Sequence, residues 1–164
     1  MFFTDPGPEG DTGLHNPLGS VFVLTGRILR PIALRCLAYP TGIALSPTES
    51  ALFVAEAAAN RVLRYTQKPL GVWHGTVFHQ FSGRLGPTAL VVDRVRELIY
   101  VARPEVPEMG GGSAVAVLSL GGECLKEFVV DGMGSGVTSL ALTPDGKELV
   151  VADAATNTIL SITL

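Results

Sequence analysis

At 164 residues the chain is long enough for one domain with a sizeable core, and 47% hydrophobic against 16% charged residues leaves most segments buried on at least one face. A net charge of −3 argues against a phosphate-binding surface, so no nucleic-acid partner is expected. No stretch reaches the roughly 18 apolar residues of a membrane span, and the opening "MFFTDPGPEG" lacks the basic region of a signal peptide. These features predict a cytoplasmic protein without a membrane partner, provided the natural chain begins at the same residue. Cys36 and Cys124 are far apart and read as two free thiols of a reducing compartment.

Taken in chain order, the apolar runs are short, rich in β-branched residues and bounded by turn residues, which predicts strands. "FFTDP" (2–6) is followed by a polar insertion, "PGPEGDTGLHNPLG" (6–19), and by the strands "GSVFVL" (19–24) and "PIALRCL" (31–37). Then come "PTGIALSP" (40–47), "ALFVAEAAANRVLRYT" (51–66) and "GTVFHQF" (75–81). "PTALVVD" (87–93) opens a further series with "LIYVARP" (98–104), "SAVAVLSL" (113–120) and "LKEFVVD" (125–131). "VTSLALTP" (137–144) and "LVVADAATNTILSITL" (149–164) close the chain.

These series repeat. Thr41, Leu52, Val54, Glu56 and Asn60 align without a gap onto Thr138, Leu149, Val151, Asp153 and Asn157. Self-similarity at about 47 residues with four strands per unit is the pattern of propeller blades. The fold expected is all-β: a partial β-propeller over 1–164, with blade parts at about 1–37, 38–85, 86–133 and 134–164. "FFTDP" reads as the second strand of its unit. The total is about three and a half four-stranded blades, where rings typically hold 4–8. The chain is therefore expected to be a C-terminal portion of a longer ring, with open blade edges that favour self-association.

Each unit's first strand should line the propeller axis, where side chains must be small. Gly42, Ala44, Ala89, Ser139 and Ala141 alternate there with Ile43, Leu45, Leu90, Leu140 and Leu142, which predicts strands buried on both faces. Asp145-Gly146 marks a hairpin. Glu56 and Asp153, each four residues before an asparagine, are expected to accept backbone N–H bonds in the turn to the third strand.

Familiar catalytic patterns are absent. "GMGSG" (132–136) is not a G-x-S-x-G elbow, and Gly110-Gly111-Gly112 lacks the Lys-Ser/Thr of a phosphate loop. His74 and His79 are five apart in a strand, so they should point to opposite faces. Trp73 is expected to pack between blades. The insertions at 6–19 and 103–113 should rise from the rim that carries Thr41 and Thr88. Glu9, Asp11, His15, Arg103, Glu105 and Glu108 are thus pocket candidates, with ordinary solvated loop charges as the alternative.

"FFTDPGPEG", "YPTGIALSPTESALFVAEAAANRVLRY" and "LGPTALVVDRVRELIYVARPE" resemble the senescence-marker-protein/gluconolactonase/strictosidine-synthase superfamily of six-bladed propellers. "ALFVAEAAANRVLRY" is also similar to an NHL repeat. The resemblance implies a calcium-dependent or similar divalent-metal hydrolase of lactones or esters. Its metal would sit at the top of the channel, held by an early Glu, an Asn in a Pro-Asn-Gly opening and an Asp in a Pro-Asp-Gly opening. The last two positions fall on Thr41 and Thr88. A hard cation such as calcium takes 6–8 oxygen ligands, and a neutral hydroxyl is a weak substitute. The reading that follows is a binding or otherwise non-canonical member with a degenerate metal site. Asp5, His15, Thr41, Glu56, Thr88, Arg103 and Asp153 would then surround a channel mouth that takes a small-molecule or protein ligand. The alternative is a metal-dependent lactonase or arylesterase-type hydrolase with its remaining ligands in upstream blades.

Overall fold

A computed structural model describes residues 1–105, 112–129, 132 and 134–164. They form four antiparallel sheets. The first holds β1 (Phe2–Asp5), β2 (Gly19–Thr25) and β3 (Ile28–Leu37), in that spatial order. The second runs from β4 (Pro40–Leu45) through β5 (Ala51–Glu56) and β6 (Arg61–Gln67) to β7 (Trp73–Gln80). The third repeats this order with β8 (Ala89–Asp93), β9 (Leu98–Arg103), β10 (Ala114–Ser119) and β11 (Cys124–Val129). The fourth has β12 (Val137–Leu142), β13 (Glu148–Asp153) and β14 (Thr158–Thr163). The one helical turn among the described residues is Pro69–Gly71, and none of their helices is long and apolar enough to cross a membrane.

Each sheet is a meander of hairpins because every apolar run is followed by residues suited to reversal. In the hairpin after β12, Gly146 takes a φ of +69°, and Asp145 accepts bonds from Thr143 Oγ1 and the Lys147 N–H. Asn60 and Asn157 adopt left-handed φ values of +51° and +53° in the turns after β5 and β13. Their shared place in the repeat is thus a backbone requirement.

The sheets stack face to face through three apolar layers. Val21, Leu37, Leu52, Val54, Leu63 and Tyr65 fill the first interface, with Phe2 and Trp73 at its margin. Trp73 meets Phe2 edge to face at 5.8 Å, so it packs between sheets as expected. Phe53, Ala55, Val62, Ile99, Val101, Ala116 and Leu118 fill the second. Tyr100, Val115, Val117, Leu140, Leu149 and Val151 fill the third.

β4 lies against β8 and β8 against β12, which makes them the innermost strands of the arc. The approach is close: a Cβ on Gly42 would meet the Cα of Ala89 at 2.9 Å. In the first sheet the edge strand β1 lies against β4, as β9 lies against β12, so β1 occupies a second-strand position. Burial of the inner strands differs from the expectation. β8 opens on two buried residues, Ala89 and Leu90, whereas β4 is half-buried after Pro40, and β12 buries Val137 and Leu140 but exposes Ser139 and Ala141. The second and third sheets are covered on both faces by their neighbours and the first and fourth on one, but the axis side of this arc stays open.

Candidate functional site

The last residue of the second strand occupies the same slot in each sheet, and in three of them it is buried. Glu56 is 1% exposed, Asp153 2% and Arg103 4%. Each holds the backbone link that leads into its own sheet. Glu56 accepts the Ala38 N–H through Oε1 at 2.7 Å and the Arg61 Nε–H through Oε2 at 2.6 Å. Asp153 accepts from the Gly134 and Ala155 N–H groups and from Thr156 Oγ1. Burial alone would raise the Asp153 pKa, but these hydrogen bonds outweigh it and hold the carboxyl below the usual aspartate range.

Arg103 does the converse job. Its Nη2 donates to the carbonyls of Ser82 and Gly83 at 2.8 and 2.9 Å, and its guanidinium stacks on Phe81 at 4.4 Å. Nη1 reaches Glu127 at 2.5 Å. Glu127 also takes Arg84, which bonds Glu105 and the Gly112 carbonyl in turn. Asn60 joins this cluster through Nδ2 and the Gly83 carbonyl. The structure thus spends Arg103 and Glu105 on joining the second and third sheets. Sequence reasoning missed Arg84, Phe81 and Glu127. Phe81 and Arg84 are signalled by a link of aromatic, small and glycine residues before Pro87, and Glu127, in β11, by nothing local.

The threonines form a row of their own. Thr4 Oγ1 donates to the carbonyl of Thr41 at 2.7 Å. Thr41 Oγ1 donates to the carbonyl of Pro87 at 3.1 Å, and Thr88 Oγ1 to that of Val137 at 2.8 Å. Each hydroxyl reaches the opening of the next inner strand and ties adjacent sheets together. Thr138 closes the row with an exposed hydroxyl that reaches back to Ala152 of its own sheet at 3.4 Å. Thr4 was not foreseen, because its row becomes visible only when β1 stands beside β4.

The remaining candidates are dispersed. Asp5 ends β1 in the same slot as Glu56, but it accepts only the nearby Gly7 N–H at 3.0 Å. It lines a cavity of about 440 Å³ with Pro8, Leu18, Ser20, Phe22 and Arg35 on the outer face of the first sheet. Glu9, Asp11 and His15 are exposed in the 6–18 loop, where Asn16 Nδ2 donates to the Asp11 carbonyl. Glu108 lies outside the described residues. His74 is exposed, whereas His79 Nδ1 bonds the Gly122 carbonyl at 2.8 Å and its ring meets Phe81. Cys36 and Cys124 are free and exposed.

The donor set does not fit a divalent cation. Among the described residues no three His, Cys, Asp or Glu side chains come together in a metal-ligating group. Thr41 and Thr88 present neutral hydroxyls whose protons point to backbone carbonyls, and the buried carboxylates Glu56 and Asp153 are saturated by N–H and O–H donors. A hard cation needs oxygen lone pairs that are free and in part charged.

Four face-stacked antiparallel sheets around inner strands of small residues define a β-propeller arc. No protein-family model matches the chain. It is 30% identical over 146 residues to the lactonase drp35 of Staphylococcus aureus strain MW2, spanning 83% of this chain and 43% of that protein. The drp35 lactonase of strain RF122 is 32% identical over 127 residues, spanning 74% and 37%. The chain thus spans less than half the length of the curated relatives it matches. Among solved structures, a gluconolactonase from Xanthomonas campestris superposes with a TM-score of 0.75 at 20% identity, covering 99% of this chain and 52% of its own. A regucalcin from Agrobacterium tumefaciens, described as calcium-binding, gives 0.70 at 20% identity over 92% of this chain and 55% of its own. The chain is thus similar in sequence to part of the drp35 lactonases, and its fold is that of a β-propeller arc.

Proposed function

We propose that this arc is a binding propeller segment without a hydrolytic metal centre of its own, whose channel mouth takes a small-molecule or protein ligand. The observation that supports this is the fate of the two hydroxyls at the superfamily's metal positions. Thr41 and Thr88 are turned to the carbonyls of Pro87 and Val137, and so they fasten sheets together. Without a bound cation, nothing in this donor set lowers the pKa of a water or polarises a lactone carbonyl. No catalytic step is assigned to these residues.

A second reading is kept because the curated relatives are lactonases. In it, the protein is a metal-dependent lactonase or arylesterase-type hydrolase whose remaining cation ligands lie in upstream blades.

Calcium titration of this chain tests the first reading. A ligand at 100 times its dissociation constant stabilises by about 2.7 kcal/mol, which a melting curve resolves easily. The expected outcome is a melting temperature that moves by less than about 1 °C in millimolar calcium, with no calcium-dependent opening of an aldonolactone or an aryl lactone. A calcium-dependent rise of several degrees that disappears in Thr41→Ala would overturn the proposal, as would lactone hydrolysis that disappears in Thr88→Val.

A further inference from the structure

The second and third sheets each hold four strands, and a small cavity lies between them at the end away from the threonine row. Its volume of about 110 Å³ gives room for about four water molecules. The second sheet contributes the turn after β4, Phe53 and Arg64; the third contributes Glu97 and Leu120. Both walls therefore belong to four-stranded sheets that face each other within this arc.

Arg64 departs from the pattern of its repeat. It stands opposite Phe53 on the face of the second sheet that packs against the third. The same register slot pairs Tyr100 with Val117 in the third sheet and Val150 with Ser161 in the fourth. Val117 is a core residue, 1% exposed. The second sheet thus puts a guanidinium where its four-stranded counterpart packs a valine. A cation in such a slot costs stability unless its hydrogen bonds are received. Among the described residues Arg64 makes no ion pair, and its Nε is shielded from solvent without a hydrogen-bond partner.

Glu97, on the opposite wall, also makes no ion pair among the described residues. The arginines beside it are engaged elsewhere. Arg94 Nη2 crosses to Glu49 at 2.9 Å, and Arg96 Nη1 holds Asp93 at 2.8 Å. The first of these bridges joins the turn after β8 to the turn after β4, which fixes the two turns that bound the cavity. Arg64 and Glu97 therefore share one small space without touching. The hydroxyls of the lining have protons to give. Ser46 Oγ accepts the Ala51 N–H at 3.0 Å and keeps its own proton. Thr48 and Ser50 share one bond at 2.8 Å, which uses only one of their two protons.

We propose that this cavity binds a small zwitterion, an α-amino acid of the size of alanine. Arg64 and the hydroxyls receive its carboxylate, Glu97 receives its ammonium group, and Phe53 and Leu120 face its methyl group. A simple anion would be repelled by Glu97 and a simple cation by Arg64, so a molecule with both charges is preferred. The site is separate from the channel mouth, at the other end of the same two sheets.

The test is an NMR titration of the whole 164-residue chain with L-alanine. Saturable shifts are expected at the Arg64 Nε–H and at the amides of residues 46–51, with the amides of Thr41 and Thr88 unmoved. Acetate and methylammonium each lack one charged arm and should bind at least about tenfold more weakly. Arg64→Val installs the residue type of the third sheet and should abolish the shifts. Glu97→Gln, an exposed change, should lower alanine to the affinity of acetate. No saturable shift at tens of millimolar alanine, or binding unchanged in either variant, would overturn the proposal. Acetate or inorganic phosphate binding as tightly as alanine would overturn it too, because the site would then be one for simple anions.

Discussion

The second and third sheets meet one demand with opposite charge. At the end of β5, Glu56 draws in the N–H of Ala38; at the end of β9, Arg103 draws in the carbonyls of Ser82 and Gly83. Both side chains are buried, and both fasten the link that enters their own sheet. The slot therefore takes a polar group of either sign, decided by which face of the entering peptide is presented. A carboxylate in this slot is no mark of acid or base chemistry, since an arginine serves equally.

The comparison is broken most forcefully at the arginine. Arg103→Met keeps an apolar stem but loses the guanidinium that stacks on Phe81 and donates to the carbonyls of Ser82 and Gly83 and to Glu127. Removing one partner of a buried pair costs about 3 kcal/mol, and urea denaturation should show a loss of that size. Glu56→Gln keeps an acceptor for Ala38 and gives up only the charge facing the partly exposed Arg61, so its loss should be about half as large. Equal losses in the two variants would mean that charge, and not the capture of the entering link, sets the energy.

The threonine row sharpens the same point. Thr88 reaches the next sheet, whereas Thr138, in the same place in its repeat, bonds only its own. Thr88→Val should cost about 1 kcal/mol, as a single buried hydrogen bond does. Thr138→Val should stay within about 0.5 kcal/mol of the parent, as exposed substitutions do. Denaturant midpoints of the two variants settle the matter; a Thr138 loss equal to that of Thr88 would show that the hydroxyl serves its own strand in both places.

The propeller arc was legible in the sequence because its signals are local. β-branched runs, the Asp145-Gly146 reversal and the recurring asparagines each fix a few neighbouring residues, and repetition multiplies them. "FFTDP" was rightly read as a second strand for the same reason. The site was legible only by position. The resemblance drew attention to Thr41 and Thr88, but the acceptors of their hydroxyls lie 46 and 49 residues away in the following copy. Glu56 was expected to cap the turn after its strand. Instead, the Ala57 and Ala58 N–H groups of that turn find the Tyr39 and Ala38 carbonyls, which leaves the carboxylate for Ala38 N–H. Asp153 does cap its turn, through Ala155, and also holds Gly134. Rim loops offered charge without geometry, so nothing local could tell that Arg103 turns inward while His15 stays in solvent.

Acid should bring out the smallest difference between the two polarities of that slot. Asp153 is buried, which by itself would raise its pKa, but the N–H groups of Gly134 and Ala155 and the Thr156 hydroxyl depress it below its unfolded value. A depressed folded pKa contributes stability that is fully present above the unfolded value, near 3.9, and is lost as pH falls through the folded value. Asp93 behaves alike: burial opposes ionisation, but the Arg96 and Val95 N–H groups and the Arg96 guanidinium prevail. A guanidinium keeps its charge across this range and adds no such slope. Melting temperatures measured from pH 6 down to pH 3 should therefore fall more steeply in the parent than in Asp153→Asn, with about 2 °C or less separating the two slopes. The asparagine variant starts from a lower stability, so the slope is the quantity to compare. Identical slopes would mean that Asp153 keeps its bonds when protonated, and that its place in the slot depends on shape more than on charge.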